Sequence, residues 1–491
     1  MTDEWTPLSF RDPENFAARV DGTWYRIATS ESAAALRRLR ASQIYDELTE
    51  SRQLVAFDEP SPEVAERVLA TVAGTSTRSA GEQRSVFTVA EIAPITYPWE
   101  WPNELLVAAA LLTLQMRELL LDEGLDLKDA SAFNVQFVGS APMFMDIGSV
   151  ELWRPNPSWN ASRQFIEHFI NPLAVGSATS VSAADAWVLG RGRGITSAAA
   201  RSLMPSKLRR RPGLALLQAT TRPVERNQPS EVRFRNESEQ DSNLALRATR
   251  SLTKRLRKNV MALSDVSHGT TWADYGSREH YSEQDLDSKR RLSNAFVERF
   301  AGADSVVLDV GGNDGFTARS VTSADGPLVL VMDADSGALD QLTSALRSDP
   351  LAARVMPLVG DITHLTPASG LLDREFAGFH DRVRPAAVLC QAVLHHVVIT
   401  QGTPLLLAVE ALAAFAAPVQ IEFAEPDDEK VKILLGQVPN WSGEYSTDAL
   451  VAALGKFFDE VEIVGRTSPT RVVVEARGLR SGSPQREVTR G

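Results

Sequence analysis

Ser305–Phe316, SVVLDVGGNDGF, is the stretch whose reading decides the fold. Val306, Val307 and Leu308 form an apolar run of strand length, and it delivers Asp309 to the edge of a glycine turn. Gly311-Gly312-Asn313-Asp314-Gly315 is that turn, and a helix is expected to open near Phe316. A strand that hands an acid and then glycines to a helix start is how open α/β sheets bring backbone close to a nucleotide-like ligand. A dinucleotide fingerprint counted from Gly311 requires glycines at 313 and 316, and the chain has Asn313 and Phe316 there.

Downstream, the same unit repeats. Leu328–Met332 is a continuous apolar run, as a strand covered on both faces should be, and it ends in Asp333-Ala334-Asp335. Asp333 falls about 20 residues past the turn, where an acid that accepts from both ribose hydroxyls is expected. A helical stretch, Ser336–Arg347, leads to Val355–Val359 and then Gly360-Asp361-Ile362. Ala386–Leu394 gives a fourth strand and turn, through Gln391, that closes in Leu394-His395-His396. A helix over Pro404–Phe415 precedes a fifth strand, Val419–Phe423. Val461–Val464 and Arg471–Glu475, joined by Ser468-Pro469-Thr470, read as an antiparallel hairpin.

The arrangement Asp309-x-Gly311-x-Asn313-x-Gly315 resembles the first motif of class I S-adenosylmethionine (SAM)-dependent methyltransferases. That resemblance implies an α/β fold with a Rossmann-like seven-stranded methyltransferase sheet over residues 266–480. SAM is then the cofactor and S-adenosylhomocysteine the product. It implies a cofactor site made of Asp309, Gly311, Gly312, Asn313, Gly315, Asp333, Ala334, Asp361, Ile362 and Gln391, with Asp361 facing the adenine amino group. The "L-H-H" after strand four is frequent in small-molecule methyltransferases, and it sets His395 and His396 where the acceptor approaches. Histidine titrates near neutral pH, so His396 is the expected base or acceptor-positioning group. Glu422 and Glu425, at the end of strand five, are placed to orient a polar or amine substrate. Trp272-Ala273-Asp274-Tyr275 and Tyr281 precede a helix, Asp285–Phe300, at the position that commonly supplies a lid. Aromatic rings there would either meet the sulfonium by cation–π attraction or only pack the lid helix.

The bulk numbers restrict the alternatives. A chain of 491 residues holds two or three domains, and its 43% hydrophobic and 23% charged residues are those of a globular protein. A net charge of −12 disfavours wholesale binding to nucleic acid or an anionic membrane. Cys390 is the only cysteine, which suits a reducing cytoplasm. The acidic start MTDEWTPLSF is not a signal peptide, and Leu105–Leu114 stops at Gln115, Arg117 and Glu118, too short to cross a membrane. No Cys/His cluster predicts a metal, and no nucleophile elbow or Walker loop is present.

Residues 1–175 read as an α+β domain. Thr23–Ala28 and Leu54–Phe57 have strand character, Ser32–Leu48 and Pro62–Val72 helical character, and Gly74–Gln83 is a polar loop. Glu104–Leu121 is a strong helix ending at Gly124. Asp129 and Asn134 in D-x4-N spacing, the strand Val135–Val138, and a second strand ending in Asp146-Ile147-Gly148 resemble the catalytic and metal loops of protein kinases and aminoglycoside phosphotransferases. The departures are large: Leu127 stands where a histidine is expected, and residues 1–127 contain no lysine, leaving Arg26 as the stand-in. The same layout also fits an ordinary hairpin with polar turns. The expectation is therefore either such a hairpin or a degenerate kinase-like fold, and in neither case an active phosphotransferase. A helix over Trp159–Leu173 is followed by 176–265, a helical or linker region with a polar loop, Pro223–Ser242, and basic clusters Lys207–Arg211 and Lys254–Lys258. Residues 481–491 read as a disordered tail.

The segments YPWEW (97–101), AALLTL (109–114) and LKDASAFNVQF (127–137), together with the later half, are similar to a bacterial family of two-part class I methyltransferases, some near nodulation or secondary-metabolite functions. The resemblance implies methyl transfer but gives no substrate. The expected acceptor is a small molecule, a natural product or biosynthetic intermediate. Because ligand sites commonly form at domain interfaces, the N-terminal domain is expected to help form its site. Two other classes fit the same motifs: a SAM-using enzyme of another reaction, such as cyclisation, and a SAM-binding protein whose N-terminal half docks a partner.

Overall fold

The computed structural model describes residues 12, 15–73, 83–155, 159–209, 239–264, 281–438 and 441–481. It divides into two units, residues 1–137 with 142–267, and residues 138–141 with 268–491. The expectations for 74–82, Trp272–Tyr275 and 482–491, and most of those for Pro223–Ser242, lie outside the described residues.

In the first unit, β1 (Asn15–Val20), β2 (Thr23–Thr29), β3 (Phe57–Asp58) and β4 (Arg84–Val89) form an antiparallel sheet in the order β1-β2-β4-β3. Asp21-Gly22, both with positive φ, supplies the two-residue turn that suits the twist of a hairpin. The sheet buries Phe16, Ala18, Val20, Tyr25 and Ile27 against Val68 and Val72 of the helix Pro62–Ala73. The single helix expected over Ser32–Leu48 is two, Ser30–Arg40 and Gln43–Glu50. Ser42 is extended, and its hydroxyl donates to the Leu39 carbonyl, so the side chain offers the backbone an alternative to continuing the helix.

Next come β5 (Leu125–Leu127), β6 (Val135–Val138), β7 (Ala141–Phe144) and β8 (Val150–Leu152), paired as β5-β8 and β6-β7. The helix Asn103–Asp122 packs against β5, and beside it lies the long helix Glu239–Ser264. Arg117, fully buried in the first of these, meets Asp126 at 2.7 and 3.0 Å, Thr253 at 3.0 Å and the Trp159 ring at 4.0 Å. A buried guanidinium persists only when its donors are matched in this way. The described helices between 183 and 264 fall within the first unit.

The second unit contains β9 (Val306–Val310), β10 (Leu328–Asp333), β11 (Val355–Val359), β12 (Ala387–Gln391), β13 (Val419–Ala424), β14 (Phe458–Ser468) and β15 (Arg471–Leu479). They form one sheet in the order β11-β10-β9-β12-β13-β15-β14, parallel up to β13 and closed by an antiparallel hairpin. That hairpin is longer than the two short runs expected, because polar residues continue the pairing across two bulges, Ile463/Gly465 and Arg466/Ser468. Val307, Val329, Val331 and Leu389 pack against Phe296, Val297, Leu339, Leu342 and Leu346 from flanking helices, which explains the continuous apolar runs. Asp309 is registered opposite Val331 on one side and Leu389 on the other, at the heart of the sheet. The order reverses between β9 and β12, and such a switch point opens a crevice at the carboxyl ends of the strands. Among the described residues no helix is long and apolar enough to cross a membrane.

Candidate functional site

The turn after β9 has the glycines it needs. Gly311 and Gly315 adopt φ of 66° and 73°, and Asn313, a residue that tolerates the left-handed region, adopts 48°. A Cβ on Gly311 would lie 2.3 Å from Val393 Cγ2. One on Gly312 would lie 2.6 Å from Val331 Cγ1 and 2.8 Å from Asp309 Oδ2, and one on Gly315 would lie 2.7 Å from Leu342 Cδ1. The turn is pinned to the end of β10: the Gly311 amide donates to the Met332 carbonyl at 2.7 Å and the Asn313 amide to Asp333 Oδ2 at 2.9 Å. The following helix does open at Phe316 and runs to Ser320.

The acids expected at strand ends differ in how they are satisfied. Asp333 accepts from the Asn313 and Asp335 amides, and burial still holds its pKa above the ordinary value. Asp335, two residues on, caps the next helix through Gly337 and Ala338, so the two carboxylates have separate tasks. Ala334 between them is exposed. Asp361 accepts from Thr363 at 2.8 Å and from Gln401 at 2.9 Å, with Ile362 buried beside it. Gln391, buried at the end of β12, donates to Gln420 at 3.3 Å. Asp309 is the exception. It is wholly buried and neither oxygen has a donor in hydrogen-bond geometry, and burial raises it to about 7 against the pull of Lys289.

At the ends of β12 and β13 the expected acceptor-side residues have partners within the chain. Glu422 is fully buried and bonded to Lys289 at 2.9 Å, to the Thr467 hydroxyl, and to Tyr281 Oη at 3.3 Å. Burial opposes its charge, but Lys289 and Arg471 outweigh that and keep it a carboxylate. Tyr281 is held at this same cluster, its hydroxyl between Glu422 and Arg471 and its ring under the Arg471 guanidinium at 4.6 Å. Its ring is thereby already occupied by a cation of the protein. His395 and His396 stack with ring centroids 4.1 Å apart. Burial and the positive charge of Arg471 push them down to about 3 and about 4, so both are neutral imidazoles at neutral pH. Glu425 pairs with Arg466 at 2.6 Å and Asp428 with Arg471 at 2.9 Å. Lys289, Arg471, Asp428 and Thr467 escaped the sequence reading because nothing local marks them; they meet only through the sheet order.

The residues of the kinase-like motif also converge, within the first unit. The Asn134 side chain donates to Asp129 Oδ1 at 3.2 Å, and the Asn134 carbonyl accepts from the Met145 amide at 2.7 Å. Asp146 forms an ion pair with Arg26 at 2.6 Å. Asp129 is raised by burial and by the neighbouring Asp146. Among the described residues no group of three or more His, Cys, Asp or Glu is arranged to hold a metal.

Counted from β9, the strand order is three-two-one-four-five-seven-six with the seventh strand antiparallel, and a glycine turn follows the first strand. This is the fold of the class I SAM-dependent methyltransferases. No protein-family model matches the chain. The chain is similar to the nodulation protein NoeA of Rhizobium meliloti (strain 1021), 28% identical over 453 residues that cover 91% of this chain and 90% of that protein, a match that must run through both units. It is also similar, over part of its length, to solved structures. The crystal structure of EvdMO1 shares 21% identity at a TM-score of 0.28, over 40% of this chain and 42% of that one, so less than half of EvdMO1 is spanned. Magnesium protoporphyrin IX methyltransferase (ChlM) of Synechocystis PCC 6803, solved with SAM, shares 19% at 0.28, over 44% and 86%. The CcbJ methyltransferase of Streptomyces caelestis shares 14% at 0.28, over 39% and 90%.

Proposed function

We propose that the chain is a SAM-dependent methyltransferase acting on a small-molecule acceptor. The observation that carries this reading is the turn Gly311–Gly315 at the sheet's switch point, where three glycines have no room for a side chain. The buried Asp309 carboxyl without a hydrogen-bond donor lies directly beneath it. The glycines let the turn pack closely on the sheet, and the buried acid beneath it fits a ligand that carries positive charge. Asp333 and Asp361, at the next two strand ends, would take the ribose hydroxyls and the adenine edge. A carboxylate offers about four lone-pair positions, so Asp333 retains acceptor capacity after its two amides. When bound, SAM supplies a methyl group on a good leaving group, so alignment rather than covalent catalysis is what the site must provide.

His396 is proposed as a positioning group. An imidazole whose pKa lies near 4 takes up a proton poorly at neutral pH, but its ring nitrogens still hold an acceptor by hydrogen bonding. The Lys289–Glu422–Tyr281–Arg471 cluster is proposed to fix the start of the helix Glu283–Phe300 against the end of β13. The first unit is proposed to be required for turnover of the native acceptor, a reading supported by a similarity to NoeA that spans both units.

Calorimetric titration with SAM and with S-adenosylhomocysteine tests the cofactor reading; no heat of binding for either, from folded protein, overturns it. Mass spectrometry of products separates methylation from another use of SAM. A chain beginning at residue 266 should still bind SAM and lose most acceptor turnover; full turnover would make the first unit a separate module.

A further inference from the structure

We propose that binding of a cationic ligand at the glycine turn is coupled to loss of a proton from Asp309, so that at neutral pH the ligand-free protein holds a substantial fraction of this carboxyl as the neutral acid. The inference rests on the SAM reading above and concerns how that site is regulated.

The geometry leads to it directly. Asp309 has no exposed surface, sits on the central strand, and has neither oxygen in hydrogen-bond geometry with a donor. A carboxylate in that position keeps its charge only if a cation is dedicated to it. Charged and titratable groups face it from every neighbouring element. From the helix Glu283–Phe300 comes Lys289, whose ammonium is spent on Glu422 at 2.9 Å. The end of β10 contributes Asp333 and the turn contributes Asp314, both of which oppose ionisation, while the Ala318 amide favours it weakly. On β12 lies Cys390, a buried thiol pushed up to about 12 and therefore neutral. Burial dominates this set and leaves Asp309 near 7. Gly312 lies directly over the carboxyl, with its Cβ position 2.8 Å from Oδ2. A ligand cation against that backbone is therefore close enough to favour the ionised form strongly in so dry a site. The step balances simply: the O–H bond of the Asp309 carboxyl breaks, the electron pair stays on the carboxylate, and the proton leaves to buffer.

SAM bears a sulfonium and an ammonium against one carboxylate, so its net charge is positive; S-adenosylhomocysteine lacks the sulfonium. Calorimetry at pH 7 in phosphate and in Tris, whose ionisation heats differ, counts the protons exchanged. SAM should release a proton fraction into the buffer, S-adenosylhomocysteine should release less, and SAM affinity should rise several-fold from pH 6 to pH 8. The ligand's own amino group titrates near 8 and would take up a proton on binding, the opposite sign. His395 and His396 lie too low to contribute in this window.

A second measurement needs no ligand. An acid whose folded pKa is raised loses stability as pH climbs from its unfolded value near 4 to its folded value near 7. Asp309→Asn should therefore gain in thermal unfolding temperature over the parent as pH is raised from 5 to 8. SAM binding with no proton release, or an Asp309→Asn protein whose pH profile parallels the parent's, overturns the proposal. Absence of SAM binding overturns the methyltransferase reading itself, and this proposal with it. If Asp309→Asn does not fold, the buffer comparison on the parent protein decides alone.

Discussion

Asp146 in the first unit and Asp309 in the second both stand at the end of a short strand close to a glycine, Asp146 partly buried and Asp309 wholly so. Their surroundings answer that burial in opposite ways. Asp146 has Arg26 at 2.6 Å, and its partner acid Asp129 has the Asn134 amide at 3.2 Å, so the kinase-like motif is satisfied from within the chain. Asp309 has no such partner, and the cation nearest to it is spent on Glu422. A motif closed on itself needs no ligand to be stable, whereas a buried acid left open is stabilised by whatever positive charge comes to it. This contrast is why the methyl-transfer chemistry proposed above is assigned to the second unit.

The contrast fails most visibly if the two glycine turns tolerate side chains alike. Gly311→Val places branched carbons where Val393 already lies at 2.3 Å, at a φ that β-branched residues avoid. Strain of about 3 kcal/mol or more should lower SAM affinity at least about 100-fold. Gly148→Ala, beside Asp146 and with its nearest atoms at 3.0–3.3 Å, should leave SAM affinity unchanged. Titration calorimetry on the two variants is the comparison.

Next in size is a pH effect in the first unit. His168 is buried and held down to about 4, with Nδ1 facing the Ala132 amide at 3.3 Å. A histidine whose folded pKa is depressed costs stability as pH falls from its unfolded value, about 6.5, to its folded one. The span from 6.5 to about 4 corresponds to about 3 kcal/mol. His168→Gln should therefore remove a comparable part of the stability lost between pH 7 and pH 4 in denaturant titrations. An unchanged pH profile would show that the imidazole is hydrated.

Asp333→Ala removes the proposed acceptor for the ribose hydroxyls and should cost about 1.5–3 kcal/mol of SAM affinity, tenfold or more. If Asp335→Ala proves the more damaging of the two for SAM, the ribose acid has been assigned two residues early. The smallest effect belongs to Arg26→Ala, which should destabilise the protein by about 2 kcal/mol, since it leaves Asp146 partly buried and unpaired. It should leave SAM affinity untouched. ATP turnover that vanishes in Asp146→Ala would reverse the comparison and give the first unit a chemistry of its own.

Much of the second unit was legible because parallel strands covered on both faces must be apolar throughout, and because a turn that approaches a ligand must be glycine. Both constraints act within a few residues, so Val306–Gly315, Leu328–Asp333 and Val355–Asp361 carry their meaning locally. The first unit was less legible. Its helix break at Ser42 depends on one hydroxyl bonded to a carbonyl three residues back, and the helical segment after residue 182 reveals its role only when Thr253 meets Arg117.

The sequence by itself determined the order of strands and helices in the second half, the glycines of its turn, and the acids that end its strands, because these follow from short-range sterics and from burial of contiguous apolar runs. Only the tertiary structure decided which of those acids are free to act. Glu422 met Lys289, Thr467 and Tyr281 from positions 133, 45 and 141 residues away, and Asp309 was left without a donor between two strands. Charge pairing across such distances depends on how the sheet assembles, and no local pattern of residues encodes it.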